Sequence, residues 1–224
     1  MKPPRSNPGF TIIECLVTMA ISGIVMAAIY STLYSQQKTH VTQEQIVAMQ
    51  QNLRAAMYLM KKEIRMAGYD PTGSALAGIQ IANTNSIRIT RDITDDAGTG
   101  DSDGDTGDAN EDVTYALLDA DGDGDTDLGR NDVNGVGTQT IAENIDALNF
   151  VYLDQNRTPT ASLSEIRSAQ ISLVARAERA DPAYTNSNVY ENQQGDTIFA
   201  PLPGDAYRRK FLTAEVRCPN LGLE

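Results

Sequence analysis

The hydrophobicity pattern begins with one long apolar segment. Residues 10–30 read FTIIECLVTMAISGIVMAAIY, close to the roughly 20 residues that a helix needs to cross the hydrocarbon core of a bilayer. Glu14 is the only charged residue in this segment, and Lys2 and Arg5 precede it. Basic residues favour the cytoplasmic side of a membrane. The pattern therefore predicts a single membrane-spanning helix whose N-terminus lies inside the cell.

A second, weaker apolar pattern follows this segment. Apolar residues recur at steps of three and four on an otherwise polar stretch, which is typical of an amphipathic helix. No Pro or Gly occurs between Tyr30 and Gly68, and Pro71 follows soon after. We therefore predict one helix over residues 10–67 that ends at this Gly and Pro signal. The face on which the rest of the protein is expected to pack comprises Ile46, Met49, Leu53, Met57, Met60 and Ile64.

Beyond Pro71 the pattern changes to short apolar or alternating runs, which are typical of β-strands. We predict strands at residues 78–81, 86–90, 113–118, 145–153, 167–177 and 211–218. Residues 180–205 are rich in Asn, Gln, Gly and Pro, and predict a long surface loop. The predicted fold class is α+β: a long N-terminal α-helix, transmembrane in its first half and amphipathic in its second, packed on a mainly antiparallel β-sheet head.

The junction before the apolar segment is itself a motif. Gly9 directly precedes Phe10, and Glu14 is the fifth residue counted from Phe10. A secretory signal is cleaved after its apolar region, whereas here the small residue lies before it. This pattern resembles the class III leader of type IV pilins and of type II secretion pseudopilins. The resemblance implies that a prepilin peptidase cleaves after Gly9 and methylates the amine of Phe10, and that Glu14 pairs with the N-terminal amine of a neighbouring subunit.

The alternative is a plain signal anchor in which Glu14 only extends towards the membrane surface. An ionisable side chain near the bilayer centre costs at least ~2.5 kcal/mol on insertion scales, so such a residue usually faces a partner or a functional path. Cleavage after Gly9 would create a cation four residues before Glu14, close to one helical turn. A neighbouring subunit would offer the same cation. The possibility of this pairing therefore favours the interpretation of Glu14 as a pilin-like assembly residue over that of a plain signal anchor.

The order of segments beyond the helix supports a narrower resemblance. The runs ALAGI, NSIRITRDITDD, VTY, ENIDALNFVYLD, ISLVARAERAD and YRRKFLTAEVR resemble those of PilW-type minor pilins, which are related to the J-type minor pseudopilins of type II secretion. The resulting division of the chain is a cleaved leader at 1–9, a transmembrane and filament-core helix at 10–34, its amphipathic continuation at 35–68, and a β-rich head at 69–224 with aspartate-rich loops at 95–132.

This resemblance implies a structural subunit, specifically a minor pilin at or near the tip of a type IV pilus that helps to initiate pilus assembly. Its implied partners are other minor pilins, the major pilin, the prepilin peptidase and the inner-membrane assembly platform. The implied location is the inner membrane, as a single-pass protein with a periplasmic head, and then the pilus on the cell surface. Two alternatives stay open: a minor pseudopilin of a type II secretion system, and a membrane-anchored calcium-dependent adhesin.

Charge and composition argue against other functions. The 224 residues include 30 acidic and 18 basic residues, for a net charge of −12, which disfavours nucleic acid or anionic lipid as the main partner of the head. The only histidine, His40, has no second His or Cys at ligand spacing, and the sequence lacks common hydrolase, phosphate-loop and zinc-protease motifs. We therefore expect no enzyme. Cys15 and Cys218 are not expected to form a disulfide.

Aspartates are concentrated between residues 95 and 132, with Gly between many of them. Carboxylates at alternate positions can surround Ca²⁺, which takes about six to eight oxygen ligands. The run DADGDGDTD resembles an EF-hand loop with Gly124 at its sixth position, although Arg130 stands where a bidentate carboxylate normally completes the site. The candidate calcium ligands in this run are Asp119, Asp121, Asp123, Asp125 and Asp127.

A first acidic loop, from Asp101 through Asp103 and Asp105 to Asp112, has Thr106 at the glycine position of the same pattern. Blocks of like charge are commonly solvated loops with no ligand. For residues 119–127 calcium and a solvated loop stay equally open, while for the first loop the solvated interpretation is favoured. Ca²⁺ is thus a candidate cofactor, although the predicted function requires none.

Overall fold

The computed structural model describes residues 9–98, 100–119, 122 and 124–222. These residues form two compact units, of which the first ends at Glu44 and the second begins at Gln45. Helix α1 is the first element and covers Ile12–Ile64. The predicted long N-terminal helix is therefore confirmed, with ends that lie a few residues inside the predicted ones.

In the first unit, α1 exposes its apolar side chains. Ile12 is 82% exposed, and the most apolar window of the helix has no buried residue. Within the described part of the chain, α1 is the one helix that is long and apolar enough to cross a membrane. Covering apolar surface is favourable by about 25 cal/mol per Å². This segment is thus an apolar surface that its own unit leaves uncovered.

In the second unit, the last turns of α1 bury one face. Ile46 of the predicted stripe is half-buried and its other five members are buried. After Ile64 the chain turns and reaches Gly68, which has a positive φ of 79°. A Cβ at Gly68 would lie 2.6 Å from Leu221 Cδ2, so both the backbone conformation and the space favour glycine here. The predicted helix stop is confirmed.

The remaining elements are mainly strands. They are β1 Ile79–Ala82, β2 Ser86–Thr90, β3 Asp112–Leu118, β4 Asp127–Asp132, β5 Gly137–Ala142, β6 Ile145–Leu153, β7 Ser168–Arg176, β8 Tyr190–Glu191, β9 Thr197–Phe199 and β10 Arg209–Arg217, with a short 3₁₀ helix at Leu163–Glu165. The strand orders are β1-β2-β3-β4-β5, β10-β7-β6 and β8-β9. Every pairing between these strands is antiparallel. The predicted α+β fold class is confirmed.

Strand β7 shows how the head covers its three-stranded sheet. It lies between β10 and β6, and all of its residues except Arg176 are buried. Ile171 and Leu173 belong to the main core together with the buried face of α1, whereas Val174 packs with Tyr190 in a smaller apolar cluster. A central strand covered on both faces is buried along its length.

The structure differs from the sequence prediction in three regions. Residues 137–142, for which no strand was predicted, form β5 at the edge of the five-stranded sheet. Residues 127–132, predicted as part of an acidic loop, form β4 in the middle of the five-stranded sheet. Their sequence, DLGRND, lacks the apolar alternation by which strands are predicted, because its inward polar side chains are paired with others inside the head. Residues 180–205 also contain the β8–β9 hairpin, whose two- and three-residue strands are too short for a periodic signal.

Candidate assembly and metal sites

The predicted calcium loop lies between β3 and β4. Asp121 and Asp123 fall outside the described residues. Asp119 is exposed, and its Oδ1 accepts a hydrogen bond from the amide of Gly122 at 2.8 Å. This local contact is the kind of turn that Asp commonly makes with its own backbone.

The two remaining predicted ligands contact other elements of the head. Asp125 Oδ2 accepts a hydrogen bond from Arg176 Nη2 at 2.5 Å. Asp127 begins β4, is 3% exposed, and its Oδ1 accepts a hydrogen bond from the amide of Asn144 at 3.0 Å. Both carboxylates thus stabilise the fold as the structure stands, and the calcium site at 119–127 stays a prediction.

The first acidic loop connects β2 to β3 and brings carboxylates together. Asp96, Asp103 and Asp108 form one group whose ligand atoms lie within 4.8 Å of one another, and Asp105, Asp108 and Glu111 form a second. Asp108 belongs to both groups. The geometry therefore gathers the acidic residues in the loop for which the sequence favoured a solvated interpretation.

At the other end of the chain, Gly9 and Phe10 are exposed and precede α1. Glu14 lies in the first turn of this helix. Its Oε2 accepts hydrogen bonds from the amide and the hydroxyl of Thr11, both at 2.8 Å. In return, the amide of Glu14 donates to Thr11 Oγ1 at 3.3 Å. This reciprocal arrangement is a capping box, which satisfies amide groups at the start of a helix.

The capping box places the carboxylate beside the predicted cleavage junction. Because Glu14 bonds to Thr11, its charge lies at the N-terminal end of α1, where the helix dipole also favours an anion. Sequence reasoning assigned Glu14 to intersubunit pairing and missed this role within the helix. The signal was present, since Thr-x-x-Glu before an apolar run is a known helix start.

Comparison with known proteins identifies this N-terminal region. Residues 4–30 match the prokaryotic N-terminal methylation motif. The predicted leader type is therefore confirmed, and the methylation motif includes Gly9, Phe10 and Glu14. Among solved structures, the chain is similar to a type IV-like pilin from Thermus thermophilus, with 16% identity, a TM-score of 0.47, and coverage of 76% of this chain and 97% of that chain. No curated protein matches the chain.

The structure does not place His40, Cys15 or Cys218 together in a site within the described residues. His40 Nδ1 lies 3.3 Å from Glu44 Oε1 at an exposed position outside the methylation motif. Cys15, within the motif, and Cys218 in the head are free thiols. Cys218 is buried and its Sγ lies 3.4 Å from the Ile64 carbonyl oxygen. Burial raises the pKa of this thiol to about 12, which makes it unreactive.

Sequence reasoning also missed a buried ionic cluster in the head. Glu63, near the end of α1, forms ion pairs with Arg91 Nη2 at 3.2 Å and Arg130 Nη2 at 3.0 Å. Its Oε2 also accepts hydrogen bonds from Arg130 Nε at 3.0 Å and from the Tyr115 hydroxyl. Asn110 completes the cluster by accepting from Arg130 at 2.9 Å. The position of Glu63, three residues after Met60 on the apolar stripe, was the available signal.

The electrostatics of Glu63 follow from these contacts. Burial by itself would raise its pKa, but hydrogen bonds from Arg130 and Tyr115 and the charge of Arg91 outweigh burial and lower the pKa below its ordinary value of 4.5. Burial and the Glu63 charge raise the pKa of Tyr115. At neutral pH the cluster therefore holds an ionised Glu63 and a protonated Tyr115.

Proposed function

We propose that this protein is a structural subunit of a type IV pilin-like filament, made as a single-pass inner-membrane precursor with a periplasmic head. The observation that carries the proposal is the methylation motif at residues 4–30. In the proposal, a prepilin peptidase cleaves after Gly9 and methylates Phe10. The work of the chain is assembly and not catalysis.

The exposed apolar part of α1 supports a change of surroundings during assembly. Its apolar side chains are uncovered by their own unit, with Ile12 82% and Ile24 72% exposed. Lipid covers such a surface before assembly, and the helices of neighbouring subunits cover it afterwards. Both environments are apolar, so moving the helix from lipid into the filament changes the free energy of burying its apolar surface very little.

Glu14 provides a charged group that can pair with a neighbouring subunit, which lipid does not. Its carboxylate already lies at the start of α1, bonded to Thr11. Cleavage after Gly9 would place the new amine on Phe10, one residue before Thr11. A neighbouring subunit carries the same amine, and pairing with it neutralises a charge that is otherwise costly in an apolar environment. Pairing therefore favours a subunit that enters in register.

The more specific role that we propose is that of a minor pilin at or near the tip, which helps to initiate assembly with other minor pilins, the major pilin and the inner-membrane platform. It is supported by the resemblance of the head segments to those of PilW-type minor pilins. A minor pseudopilin of type II secretion is the second candidate, because the same N-terminal motif serves both. Ca²⁺ at Asp119, Asp121, Asp123, Asp125 and Asp127 is proposed as an accessory ligand of the head.

The mass of the N-terminal peptide tests the processing step. We expect sheared surface filaments to contain a subunit that begins with methylated Phe10, in amounts well below the major subunit. A retained leader in assembled material would contradict the proposal. Recovery of the protein with secretion components, and its absence from pili, would favour the pseudopilin.

Replacement of Glu14 tests the pairing step. Glu14→Gln keeps a side chain that can complete a capping box but removes the charge. We expect normal cleavage and at least tenfold less protein in the filament fraction, because the neighbour's amine is left unpaired. Glu44→Gln, at an exposed position of the same helix, is the matched control and should enter filaments normally. Normal incorporation of Glu14→Gln would exclude the pairing role.

A further inference from the structure

We propose that the outer edge of β10 binds an extended strand of a different filament subunit, and that Arg167 and Arg217 bind a carboxylate of that strand. The proposal rests on the proposed function for the identity of the partner as a filament subunit. Two separate features of the head carry it. They are the backbone groups along the outer edge of β10 and the arginines that line a cavity at the end of this strand.

The pairing of β10 with β7 shows which backbone groups of β10 face outward. The amide of Ala177 donates to the Arg208 carbonyl at 2.8 Å, and the amide of Cys218 donates to the Arg167 carbonyl at 2.9 Å. In an antiparallel pair, residues that bond to the partner strand alternate with residues whose amide and carbonyl point away from it. The even-numbered residues of β10 therefore bond to β7, and the odd-numbered residues direct their backbone groups to the open side.

The outward backbone groups in the middle of β10 belong to Phe211, Thr213 and Glu215. In the part of the chain that the structure describes, β10 pairs with β7 alone, and no backbone group of the head bonds to these three amides and carbonyls. An extended peptide adds to such a row of donors and acceptors as a further strand. The chemistry of this edge therefore selects an extended backbone as its partner.

The other sheet edges are less suited to such an addition. β1 and β5 are four and six residues long, and each has an irregular register with its neighbour. β6 also has an irregular register, and the amide of its Phe150 donates to the Thr84 carbonyl at 2.7 Å. β10 is nine residues long and pairs regularly throughout. Short and bulged edges resist the addition of a strand, and β10 is neither short nor bulged.

The side chains in the middle of β10 would also be covered by a neighbouring strand. Phe211, Leu212 and Ala214 are half-buried. Phe211 packs on the smaller apolar cluster that contains Tyr190, whereas Leu212 and Ala214 pack on the main core. Side chains on adjacent strands lie about 4.5–5.5 Å apart, so an added strand would extend both apolar clusters.

A cavity of about 490 Å³ lies where β10 ends, and Arg167 and Arg217 are among its lining residues. Its two carboxylates are already bonded within the head. Glu215 Oε2 accepts a hydrogen bond from Arg157 Nη2 at 2.6 Å, and Asp154 Oδ1 accepts from the amides of its own turn at 2.8 and 2.9 Å. The cavity therefore presents its remaining arginines to a ligand.

These two arginines have no carboxylate partner among the ion pairs of the described residues. Arg167 Nη1 donates to the carbonyls of Ser164 and Ile166, both at 2.8 Å, and Arg217 is exposed. The guanidinium group bonds strongly to carboxylates, often through two hydrogen bonds at once. A strand along β10 that carries Asp, Glu or a C-terminal carboxylate at this end would therefore be recognised by charge as well as by its backbone.

The charge of the edge favours a different subunit over a second copy of this chain. Lys210 and Arg217 are exposed near the two ends of β10. Its one carboxylate, Glu215, is bound by Arg157. A second copy of β10 would bring a second set of the same cations to this edge, and like charges on neighbouring strands destabilise their pairing. An acidic strand would instead complement them.

Proline substitution tests the backbone pairing. Thr213→Pro removes an outward amide and keeps the bonds to β7, because proline is tolerated where the amide of an edge strand faces solvent. We expect a melting temperature close to that of the wild type, normal cleavage after Gly9, and at least tenfold less protein in the filament fraction, because the added strand loses its ladder. Normal incorporation of Thr213→Pro would overturn the proposal.

The matched control is Thr140→Pro on the outer edge of β5. In that sheet the amide of Val133 donates to the Asp112 carbonyl, which sets the alternation and directs the amide of Thr140 outward. This variant should enter filaments normally. Equal exclusion of Thr140→Pro and Thr213→Pro would show that β10 has no special part in assembly.

Replacement of Arg217 tests the carboxylate site and keeps the proposal testable if Thr213→Pro fails to fold. We expect about fivefold less Arg217→Ala in the filament fraction, because one ion pair with the added strand is lost. Arg179→Ala, at a position whose side chain is 75% exposed, is the control and should enter filaments normally. Equal incorporation of the two variants would exclude the carboxylate site.

Photo-crosslinking in whole cells identifies the partner. A benzophenone amino acid at position 213 should link to an acidic segment of another subunit with an N-terminal methylation motif, as read from the mass of the crosslinked peptide, and one at position 140 should not. Links to a second copy of β10, to a protein without that motif, or equally from both positions would overturn the proposal. A wild type absent from filaments would instead contradict the proposed function, and crosslinks in the membrane fraction would still show whether a strand binds β10.

Discussion

Helix α1 carries two glutamates in apolar surroundings, and they are satisfied in opposite ways. Glu14 is exposed and bonds to Thr11 within its own first turn. Glu63 is buried and pairs with Arg91 and Arg130 from the chain that follows. The first part of the helix thus leaves a charge open to a partner from outside, whereas the second part completes its charge within the head.

This difference separates two uses of a carboxylate on an apolar face. A buried ion pair by itself contributes little net stability, because removing both charges from water is costly. It does select geometry, since few rotations of α1 about its axis bring Glu63 to Arg91, Arg130 and Tyr115 together. We infer that Glu63 fixes the position of the helix on the sheet, whereas under the proposed function Glu14 would fix a position among subunits.

The largest expected effect comes from breaking the buried partner. Glu63→Ala would leave Arg91 and Arg130 buried without the Glu63 carboxylate, although Asp132 Oδ2 still lies 3.8 Å from Arg130 Nη1. Removing one partner of a buried ion pair typically destabilises a protein by about 3–5 kcal/mol. Denaturant unfolding of the full chain in micelles, followed by tyrosine fluorescence, measures this loss. Glu44→Ala, at an exposed position on the same helix, should change the free energy of unfolding by less than about 0.5 kcal/mol. Equal effects of the two variants would show that the cluster does not hold the head together.

Much of the fold is predictable from sequence because its periodic signals are strong. The long helix, its stop at Gly68, and strands such as β2 and β6 follow from spacing and breaker residues. Strand β4 was not predictable, since Arg130 and Asp132 point into the head and are stabilised by partners far along the chain. Burial of polar residues through such long-range pairs leaves no local periodicity to detect.

The candidate sites divide in the same way. The N-terminal methylation motif that includes Gly9, Phe10 and Glu14 could be predicted, because it is a short continuous stretch of sequence. The grouping of Asp105, Asp108 and Glu111 could not, because it depends on how Asp92 and Glu111 fold the loop back on itself. A comparison of the sequence with the calcium-loop pattern cannot show these long-range contacts. It therefore could not predict which of the two acidic loops brings its carboxylates together.

Acid should weaken the buried cluster through Glu63. The folded pKa of this group lies below its ordinary value of 4.5, so the native state binds its proton less readily than the unfolded state does. Its ionisation therefore stabilises the fold fully above about pH 4.5, and this contribution is lost as the pH falls through the folded pKa. Glu63→Gln, which carries no charge, should be less stable than the wild type at pH 7.

Unfolding of both proteins between pH 7 and pH 3 measures this contribution. We expect the stability difference between wild type and Glu63→Gln to shrink as the pH falls below 4.5, the ordinary value for this group. Glu44→Gln serves as the control for general acid effects, because Glu44 is exposed. A difference that stays constant over the whole range would mean that ionised Glu63 adds nothing beyond the shape of its side chain.

The smallest expected effect comes from a variant at the start of α1 that removes the helix cap and keeps the charge of Glu14. Thr11→Ala removes the hydroxyl that Glu14 bonds but keeps the carboxylate, and loss of such a cap costs about 1 kcal/mol. Hydrogen exchange in micelles should therefore be about fivefold faster at the first-turn amides, while Thr11→Ser stays near wild type.

Filament incorporation gives the complementary result. Since Thr11→Ala keeps the charge of Glu14, it should enter filaments nearly normally, in contrast to Glu14→Gln, which keeps the capping geometry and loses the charge. If Thr11→Ala were excluded as strongly as Glu14→Gln, the start of the helix and not the charge would govern assembly. Glu14 would then act only within its own subunit, as Glu63 does in the head, and not by pairing with a neighbouring subunit.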